Sequence, residues 1–183
     1  LALGGGDVRR YPGDVAPFLA VPHAGAPLVS ARDTALLSAG DTALLIGPRP
    51  AAPAGWHVED LGAIVQMVGE QPATVPEGPA VVELTSAAQR ADIRALTVRV
   101  YPHYFRPRTP ELGRYFGIYV DGRLAAMVGE RMGFPGFREI SAVCTHPDFG
   151  GRGLARRVLT WLGADIARSG ATPFLHVAPT NTR

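Results

Sequence analysis

A cluster of three glycines stands immediately before a segment with helical periodicity, and this arrangement can bind an anion. The glycines are Gly150, Gly151 and Gly153. The first turn of a helix carries backbone N–H groups without intrahelical partners, and the aligned peptide dipoles add partial positive charge there. Because glycine has no Cβ, a phosphate can approach such a backbone closely. The loop therefore predicts donors to a phosphate or pyrophosphate at residues 151–155, although a tight turn entering a packed helix would use the same glycines.

The elements that must position this loop are a strand before it and a helix after it. Residues 140–145 form a short apolar run that favours a strand, and His146 begins the segment that ends it. After the loop, apolar residues recur every four positions from Leu154 onward, and Gly170 stands where a helix ends. Strand, glycine-rich turn and helix together are typical of an anion site.

Two common phosphate-binding motifs do not fit. A Walker loop requires a lysine, and the chain contains none. A dinucleotide-binding fingerprint requires a third glycine three positions after Gly153, where Arg156 stands.

The loop resembles motif A of the GNAT superfamily, the acyl-CoA-dependent N-acyltransferases. In that motif a Gln or Arg is followed by two residues, a Gly, one residue, and a Gly or Ala. The pattern falls on residues 150–155, with Gly153 as its obligatory glycine and Ala155 as its last small residue, while Gly150 departs from the usual Gln or Arg. The resemblance covers residues 81–183 well and the first eighty residues poorly.

The resemblance implies acetyl-CoA as co-substrate. In the family, the strand before motif A and the strand after its helix splay apart, and the pantetheine arm enters the gap. The implied cofactor contacts are the strand backbone at Val143, Cys144 and Thr145, the loop and first helical turn at Gly151, Arg152, Gly153, Leu154, Ala155 and Arg156, and the later Asn181.

The order of predicted elements from residue 80 onward is strand–helix–strand–strand–strand–helix–strand. This is the α/β (α+β) order of a GNAT core, with a mixed central sheet, splayed strands and flanking helices. The first helix is predicted at residues 87–100 with Ser86 as its cap. A hairpin is predicted between residues 115–120 and 123–131 through Asp121–Gly122.

A turn-forming linker at residues 71–79 divides the chain. We expect a GNAT acyltransferase domain at residues 79–183 and a degenerate GNAT-like lobe at residues 1–78, as in the two-lobed, glycine N-acyltransferase-like branch. Before the linker, residues 42–46 and 58–68 predict strands, the latter against a helical alternative. The family's tyrosine general acid is expected beyond Arg183.

Acylation of an amine by a thioester requires a proton acceptor and a polarised carbonyl. Glu139 is the predicted general base, and the N–H of Val143 is predicted to face the thioester oxygen. A surface carboxylate paired with Arg138 would explain Glu139 equally well. Glu83 and Glu130 are alternative carboxylates on neighbouring strands.

Cys144 and His146 stand two residues apart, which raises the possibility of a covalent acyl-enzyme. We expect instead that the Cys144 side chain is an apolar filler, that His146 shapes the turn, and that transfer is direct. The segment at residues 101–112, rich in aromatic residues, is predicted to form a packed loop or the rim of the acceptor site.

The composition excludes several classes of function. A net charge of +2 without a basic cluster argues against nucleic acid, and no apolar run is long enough to span a membrane. The single cysteine suits a reducing cytoplasm, and five scattered histidines do not have metal-ligand spacing, so we expect no metal. A homodimer is possible.

The sequence thus favours an N-acetyltransferase that moves an acetyl or other acyl group from acyl-CoA to a primary amine of a small molecule or peptide. The alternative is a GNAT-fold sensor or interaction domain that binds acyl-CoA without turnover. A third and weaker hypothesis is a nucleotide-phosphate binder of another class.

Overall fold

The computed structural model describes residues 2–3, 8–28, 40–52, 54–71, 73–100, 102 and 104–181. They form two compact units, Leu1–Ala63 and Ile64–Arg183. The division lies upstream of the boundary at residues 78 and 79 that the linker suggested. The reason is a short strand, Val65–Val68, which pairs with the last strand of the second unit.

The first unit contains three short strands, β1 (Arg9–Arg10), β2 (Phe18–Ala20) and β3 (Leu44–Leu45). Strand β2 pairs antiparallel with β1 and parallel with β3. A small core of Val8, Leu19 and Leu28 packs beneath them. Strand β3 confirms the strand expected at residues 42–46, while the relation of this unit to a GNAT half remains a prediction.

The second unit is built on a six-stranded sheet with the order β4-β9-β8-β7-β6-β5. All neighbouring strands are antiparallel except β8 and β9, which run parallel. The predicted mixed α/β fold is therefore confirmed. The strands are β4 (Val65–Val68), β5 (Val82–Glu83), β6 (Tyr115–Val120), β7 (Arg123–Phe134), β8 (Phe137–Thr145) and β9 (Thr172–Val177).

Two helices flank the sheet, α1 (Ala87–Val100) and α2 (Leu154–Arg168). Helix α1 begins with a capping box, in which Ser86 Oγ accepts the Gln89 N–H at 3.2 Å and Gln89 Oε1 accepts the Ser86 N–H at 2.9 Å. Its bounds are those that the sequence predicted. Helix α2 buries the predicted apolar stripe of Leu154, Val158, Leu162 and Ile166.

The two faces of the sheet carry different cores. On one face, α2 packs against residues that include Ile118, Val128 and Ile140. On the other face, α1 packs against a cluster that includes Met127 and Cys144. Because successive side chains of a strand alternate between faces, β8 contributes to both cores.

Strands β8 and β9 pair only where they begin. The three paired positions are Phe137 with Thr172, Arg138 with Pro173, and Glu139 with Phe174. Beyond Glu139 the two parallel strands no longer pair along the described chain, so a gap opens toward their carboxyl ends. This is the splayed pair that the sequence analysis expected.

Candidate functional site

The glycine-rich loop connects β8 to α2 through a short 3-10 helix, Pro147–Phe149. Gly151 and Gly153 adopt φ values of 75° and 73°, and Gly153 is the N-cap of α2. These are left-handed conformations, which favour glycine. A Cβ added at either glycine would have no other atom within 4 Å, so each position faces open space that a phosphate can enter.

The backbone amides of this loop are available as donors. In the described part of the chain, none of the N–H groups of residues 151–156 donates to a protein acceptor, whereas the next amide, that of Arg157, donates to Gly153 O at 3.0 Å. The N-terminus of the 15-residue helix α2 adds partial positive charge at the same place. Gly151, Gly153, Leu154 and Ala155 therefore lie where the predicted anion cradle requires them.

Arginine side chains surround the loop. The guanidinium groups of Arg123 and Arg152 lie 5.1 and 5.2 Å from the centre of the Phe149 ring. Arg123 also donates to Asp148 Oδ2 at 2.7 Å, and this hydrogen bond lowers the pKa of the Asp148 carboxyl. Arg156 is exposed in the first turn of α2. The local charge thus favours a polyanion.

Arg157 has a different role from Arg156. Its Nε donates to Pro79 O at 2.7 Å, and its Nη1 donates to Pro76 O. The side chain therefore fastens the linker at residues 71–79 to helix α2.

Strand β8 contains a bulge where the pantetheine arm was predicted to pair. Ala142 has a φ of 51°, which is unusual for a residue other than glycine. The register with β7 shifts between Met127, which pairs with Cys144, and Gly129, which pairs with Ser141. Bulges redirect a strand and are frequent beside active sites. This one changes the direction of the backbone at Val143.

The side chain of Cys144 is part of the core on the α1 face. It is 4% exposed, and burial raises the pKa of its thiol to about 12. His146 lies elsewhere, with its Nδ1 accepting the Asp148 N–H at 3.2 Å at the start of the 3-10 helix. This arrangement confirms that Cys144 is a filler and that His146 shapes the turn.

Glu139 is fully buried, at 0% exposure, and its carboxylate makes three hydrogen bonds to two residues. Arg131 on β7 donates twice, from Nε to Oε2 at 2.9 Å and from Nη2 to Oε1 at 2.5 Å. His176 Nδ1 lies 2.7 Å from Oε1. An acceptor amine cannot contact this carboxylate as it stands, so its role as direct base remains a prediction with an unfavourable geometry.

Neither partner of Glu139 was predicted from the sequence. The alternative of a surface carboxylate paired with Arg138 is wrong, because Glu139 is buried and bound to Arg131 and His176, whereas Arg138 is exposed. Arg131 lies eight residues away across the β7–β8 hairpin, and His176 lies 37 residues away on β9. Only the strand register brings the three side chains together, although the hairpin spacing was a signal for Arg131.

The two alternative carboxylates differ in their surroundings. Glu130 is buried and accepts a hydrogen bond from Arg114 Nη2 at 2.6 Å. This bond raises the pKa of Arg114, which also pairs with Asp165 of α2 at 2.9 Å. Glu83 is exposed on the short edge strand β5. Neither lies on β8 or β9, the two strands that border the gap.

The predicted acceptor rim is partly described. Tyr101 and His103 lie outside the described residues. The rest of the segment contributes to a concavity of about 320 Å³ next to α1. Its lining consists of Arg90, Arg94, Pro107, Arg108, Pro110 and Glu111.

Asn181 lies in the turn that follows β9, where its N–H donates to Ala178 O at 2.9 Å. Since β8 and β9 run parallel, this turn and the glycine-rich loop follow the same edge of the sheet. Asn181 is exposed there.

Metal-binding groups and membrane-spanning helices are both absent from the residues that the structure describes. Among them, no group of three or more His, Cys, Asp or Glu side chains is arranged to hold a metal ion. No helix among them is long and apolar enough to cross a membrane.

Comparison with known proteins agrees with this architecture. The FR47-like protein family model matches residues 115–183. A structure from Colwellia psychrerythraea, an acetyltransferase from the GNAT family, is 15% identical with a TM-score of 0.55 and shares the fold; the match covers 64% of this chain and 47% of that chain. No curated protein sequence matches the chain significantly.

A second structure is more similar. It comes from Novosphingobium aromaticivorans DSM 12444 and is described as an acetyltransferase from the GNAT family. It is 34% identical, with a TM-score of 0.84, and the match covers 100% of this chain and 80% of that chain. With this identity over its whole length, the chain belongs to the GNAT family.

Proposed function

We propose that the protein is an N-acetyltransferase that transfers an acetyl group from acetyl-CoA to a primary amine by direct attack on the thioester. One observation carries the proposal: the glycine-rich loop, with its unused amide donors, lies next to the gap between β8 and β9 in a chain of the GNAT family. A pyrophosphate and an extended arm require these two features side by side.

The loop is assigned to the pyrophosphate of the co-substrate. The amides of Gly151, Arg152, Gly153, Leu154 and Ala155 donate to its oxygens, and Arg156 adds charge from the first helical turn. The open space at Gly151 and Gly153 supports this assignment, because any larger residue would occupy it. Asn181 is proposed to contact the co-substrate from the end of β9.

The gap is assigned to the pantetheine arm. The backbone of Val143, Cys144 and Thr145 runs along it and is proposed to pair with the arm as a further strand would. The N–H of Val143, next to the bulge at Ala142, is proposed to donate to the thioester carbonyl oxygen and to stabilise the negative charge that develops there.

The reaction needs one proton acceptor, since an amine is largely protonated at neutral pH. The thioester supplies an activated acyl group and a good leaving group. The protein supplies orientation, a hydrogen bond to the carbonyl oxygen and a route for the proton. The Glu139 carboxylate is proposed to promote this proton transfer. Because it is buried, it acts through a neighbouring side chain and does not contact the amine itself.

The two-lobed, glycine N-acyltransferase-like arrangement is proposed as well, with the first unit as the degenerate lobe. The match to the Novosphingobium aromaticivorans structure covers the whole chain, including that unit. This supports a common ancestry of both units with one GNAT protein.

The experiment that tests the function measures binding and turnover separately. Calorimetry should detect binding of CoA and acetyl-CoA, with ATP as a competitor that binds much more weakly. A free-thiol assay should then show CoA release that depends on an added amine, across amino acids, polyamines, aminoglycosides and peptides. Binding of acetyl-CoA without release by any amine would favour the sensor, and absence of CoA binding would exclude both.

A further inference from the structure

His176 occupies the point where β8 and β9 separate. It lies on β9 two residues beyond Phe174, which forms the last pair with Glu139. Side chains two apart on a strand share a face, so His176 and Phe174 lie on the same side of β9, and their rings meet edge to face at 5.8 Å. The side chain of His176 is 10% exposed, whereas that of Glu139 is fully buried.

The buried carboxylate fixes the orientation of the imidazole. Arg131 holds both oxygens of Glu139, so the carboxylate cannot rotate away from the ring. An ionised carboxylate only accepts hydrogen bonds, so the 2.7 Å contact requires a proton on His176 Nδ1. This tautomer is assigned from the hydrogen-bond network. In the neutral ring, Nε2 then carries a lone pair.

The Nε2 atom points away from the buried carboxylate toward the edge of the sheet. Its neighbour there is Oε1 of Gln66 on β4, at 3.2 Å. In the neutral ring Nε2 and Gln66 Oε1 are both acceptors, so this contact is a hydrogen bond only if the Gln66 amide is rotated and its NH₂ group donates. Gln66 is exposed, and its side chain can also turn aside. The position next to Nε2 is therefore accessible to a polar group from outside.

We infer that His176 is the general base for the acceptor amine and that Glu139, held by Arg131, orients it and stabilises its charged form. The inference rests on the proposed transfer reaction. It assigns Glu139 the part of an orienting anion, as a carboxylate does for histidine in hydrolytic triads.

Two protons leave the acceptor ammonium during the transfer. The acceptor ammonium gives one proton to His176 Nε2 and becomes a neutral amine. The amine nitrogen forms the new C–N bond with the acetyl carbonyl carbon while the C–S bond breaks, and its second proton ends on the departing sulfur. The imidazolium returns its proton to water after the amide has formed.

The charges facing the ring favour this cycle. From β8 the Glu139 carboxylate contacts the ring directly, and from β7 the Arg131 guanidinium lies behind that carboxylate. Tyr115 on β6 is buried near Arg131, and its pKa is raised by burial, so it stays neutral. Among the described residues of β4, the neutral Gln66 makes a polar contact with the ring. The imidazolium therefore gains a close anion, and the opposing cation is farther away.

The test uses the full chain and an amine that the wild-type protein acetylates. His176→Gln should lower kcat/KM for the amine about 100-fold or more at pH 7 and leave the affinity for CoA unchanged by calorimetry. It should also remove the acid limb from the pH profile of kcat/KM, because the group that accepts the proton is gone. Glu139→Gln should lower kcat/KM for the amine as well and spare the CoA affinity, because a neutral amide no longer balances the charge of the imidazolium. His23→Gln, at an exposed histidine of the first unit, is the matched control and should change neither value.

A second measurement does not depend on turnover. In the wild-type protein with ¹⁵N-labelled histidine, the His176 ring at high pH should show a protonated Nδ1 and an unprotonated Nε2. An unchanged pH profile in His176→Gln, or a ring protonated on Nε2 at high pH, would overturn the inference. Failure of the wild-type protein to acetylate any amine would overturn the proposed function instead. The protonation of the His176 ring would still show whether Glu139 holds the proton on Nδ1.

Discussion

At the scale of single residues, the buried ion pair of Arg131 and Glu139 is expected to have the largest effect on the stability of the fold. Removing one partner of a buried pair leaves an uncompensated charge, which costs about 3–5 kcal/mol. We expect Arg131→Met to lower the free energy of unfolding in urea by that amount. Arg168→Met is the control, because Arg168 is 67% exposed in its pair with Asp165, and it should cost less than about 1 kcal/mol.

The double variant Arg131→Met with Glu139→Leu separates charge from packing. Replacing both charged groups by apolar ones removes the unpaired carboxylate, so part of the lost stability should return. Equal unfolding free energies for Arg131→Met and Arg168→Met would show that the pair contributes nothing.

Cys144 provides a prediction with a defined pH dependence. Burial raises its pKa from 9.0 to about 12, so between these values the unfolded chain loses a proton that the folded chain keeps. Stability attributable to the thiol is therefore complete below pH 9 and falls as the pH rises, by at most about 1.4 kcal/mol per pH unit. Cys144→Ala removes this dependence.

Comparing the stability of the wild-type protein with that of Cys144→Ala separates the effect of the thiol from that of other titrating groups. At pH 7, Cys144→Ala should be less stable by about 1 kcal/mol through lost packing and should keep most acetyl transfer. Between pH 9 and pH 10.5 the difference should shrink, as measured by urea unfolding. Loss of transfer together with a trapped acyl-enzyme in mass spectra would contradict a direct mechanism.

Single candidate residues were easier to predict from the sequence than their partners. Glu139 was predicted as the general base, yet Arg131 and His176 reach it through strand register, and a single sequence does not specify register. The positive φ of Ala142 had no signal either, since alanine rarely adopts it. Such positions depend on the surrounding sheet.

At the scale of elements, the loop before α2 is the most specific feature. Gly153→Asp introduces a side chain and a negative charge where a pyrophosphate is proposed to lie, so CoA binding should weaken at least 100-fold by calorimetry. The control is Gly136→Asp in the β7–β8 turn, where φ is 78° and an added Cβ also meets no atom within 4 Å. It carries the same backbone strain away from the loop, so a similar loss in both variants would refute the site.

Elements with strong local signals were predicted well. Helix α1 has a capping box, and the β6–β7 hairpin turns at Asp121 with φ 50° and Gly122 with φ 71°. Strand β4 was harder to predict, because residues 58–68 mix apolar and polar residues without a clear period, and within them only Val65–Val68 is a strand. Its pairing with β9 depends on tertiary contacts, which local strand propensity does not predict.

At the scale of the whole molecule, the boundary between the two units also depends on strand pairing, which local sequence does not predict. Composition placed it after the linker at residues 71–79, where prolines and glycine accumulate. Pairing places it before β4, because a strand belongs to the sheet that satisfies its hydrogen bonds, whatever linker follows it. The linker is itself fastened to α2 through Arg157.

Two truncated proteins test this boundary. A protein of residues 64–183 keeps β4 and should fold cooperatively and bind CoA with the affinity of the full chain. A protein of residues 79–183 loses the four pairs between β4 and β9, Gln66 beside His176, and the Pro76 carbonyl that Arg157 binds. It should be less stable by about 2–4 kcal/mol, since each lost hydrogen bond contributes about 1 kcal/mol. Its uncovered β9 edge should also promote association, visible by light scattering. Equal unfolding midpoints and equal CoA affinities of the two proteins would place the boundary after the linker and leave β4 without a structural role.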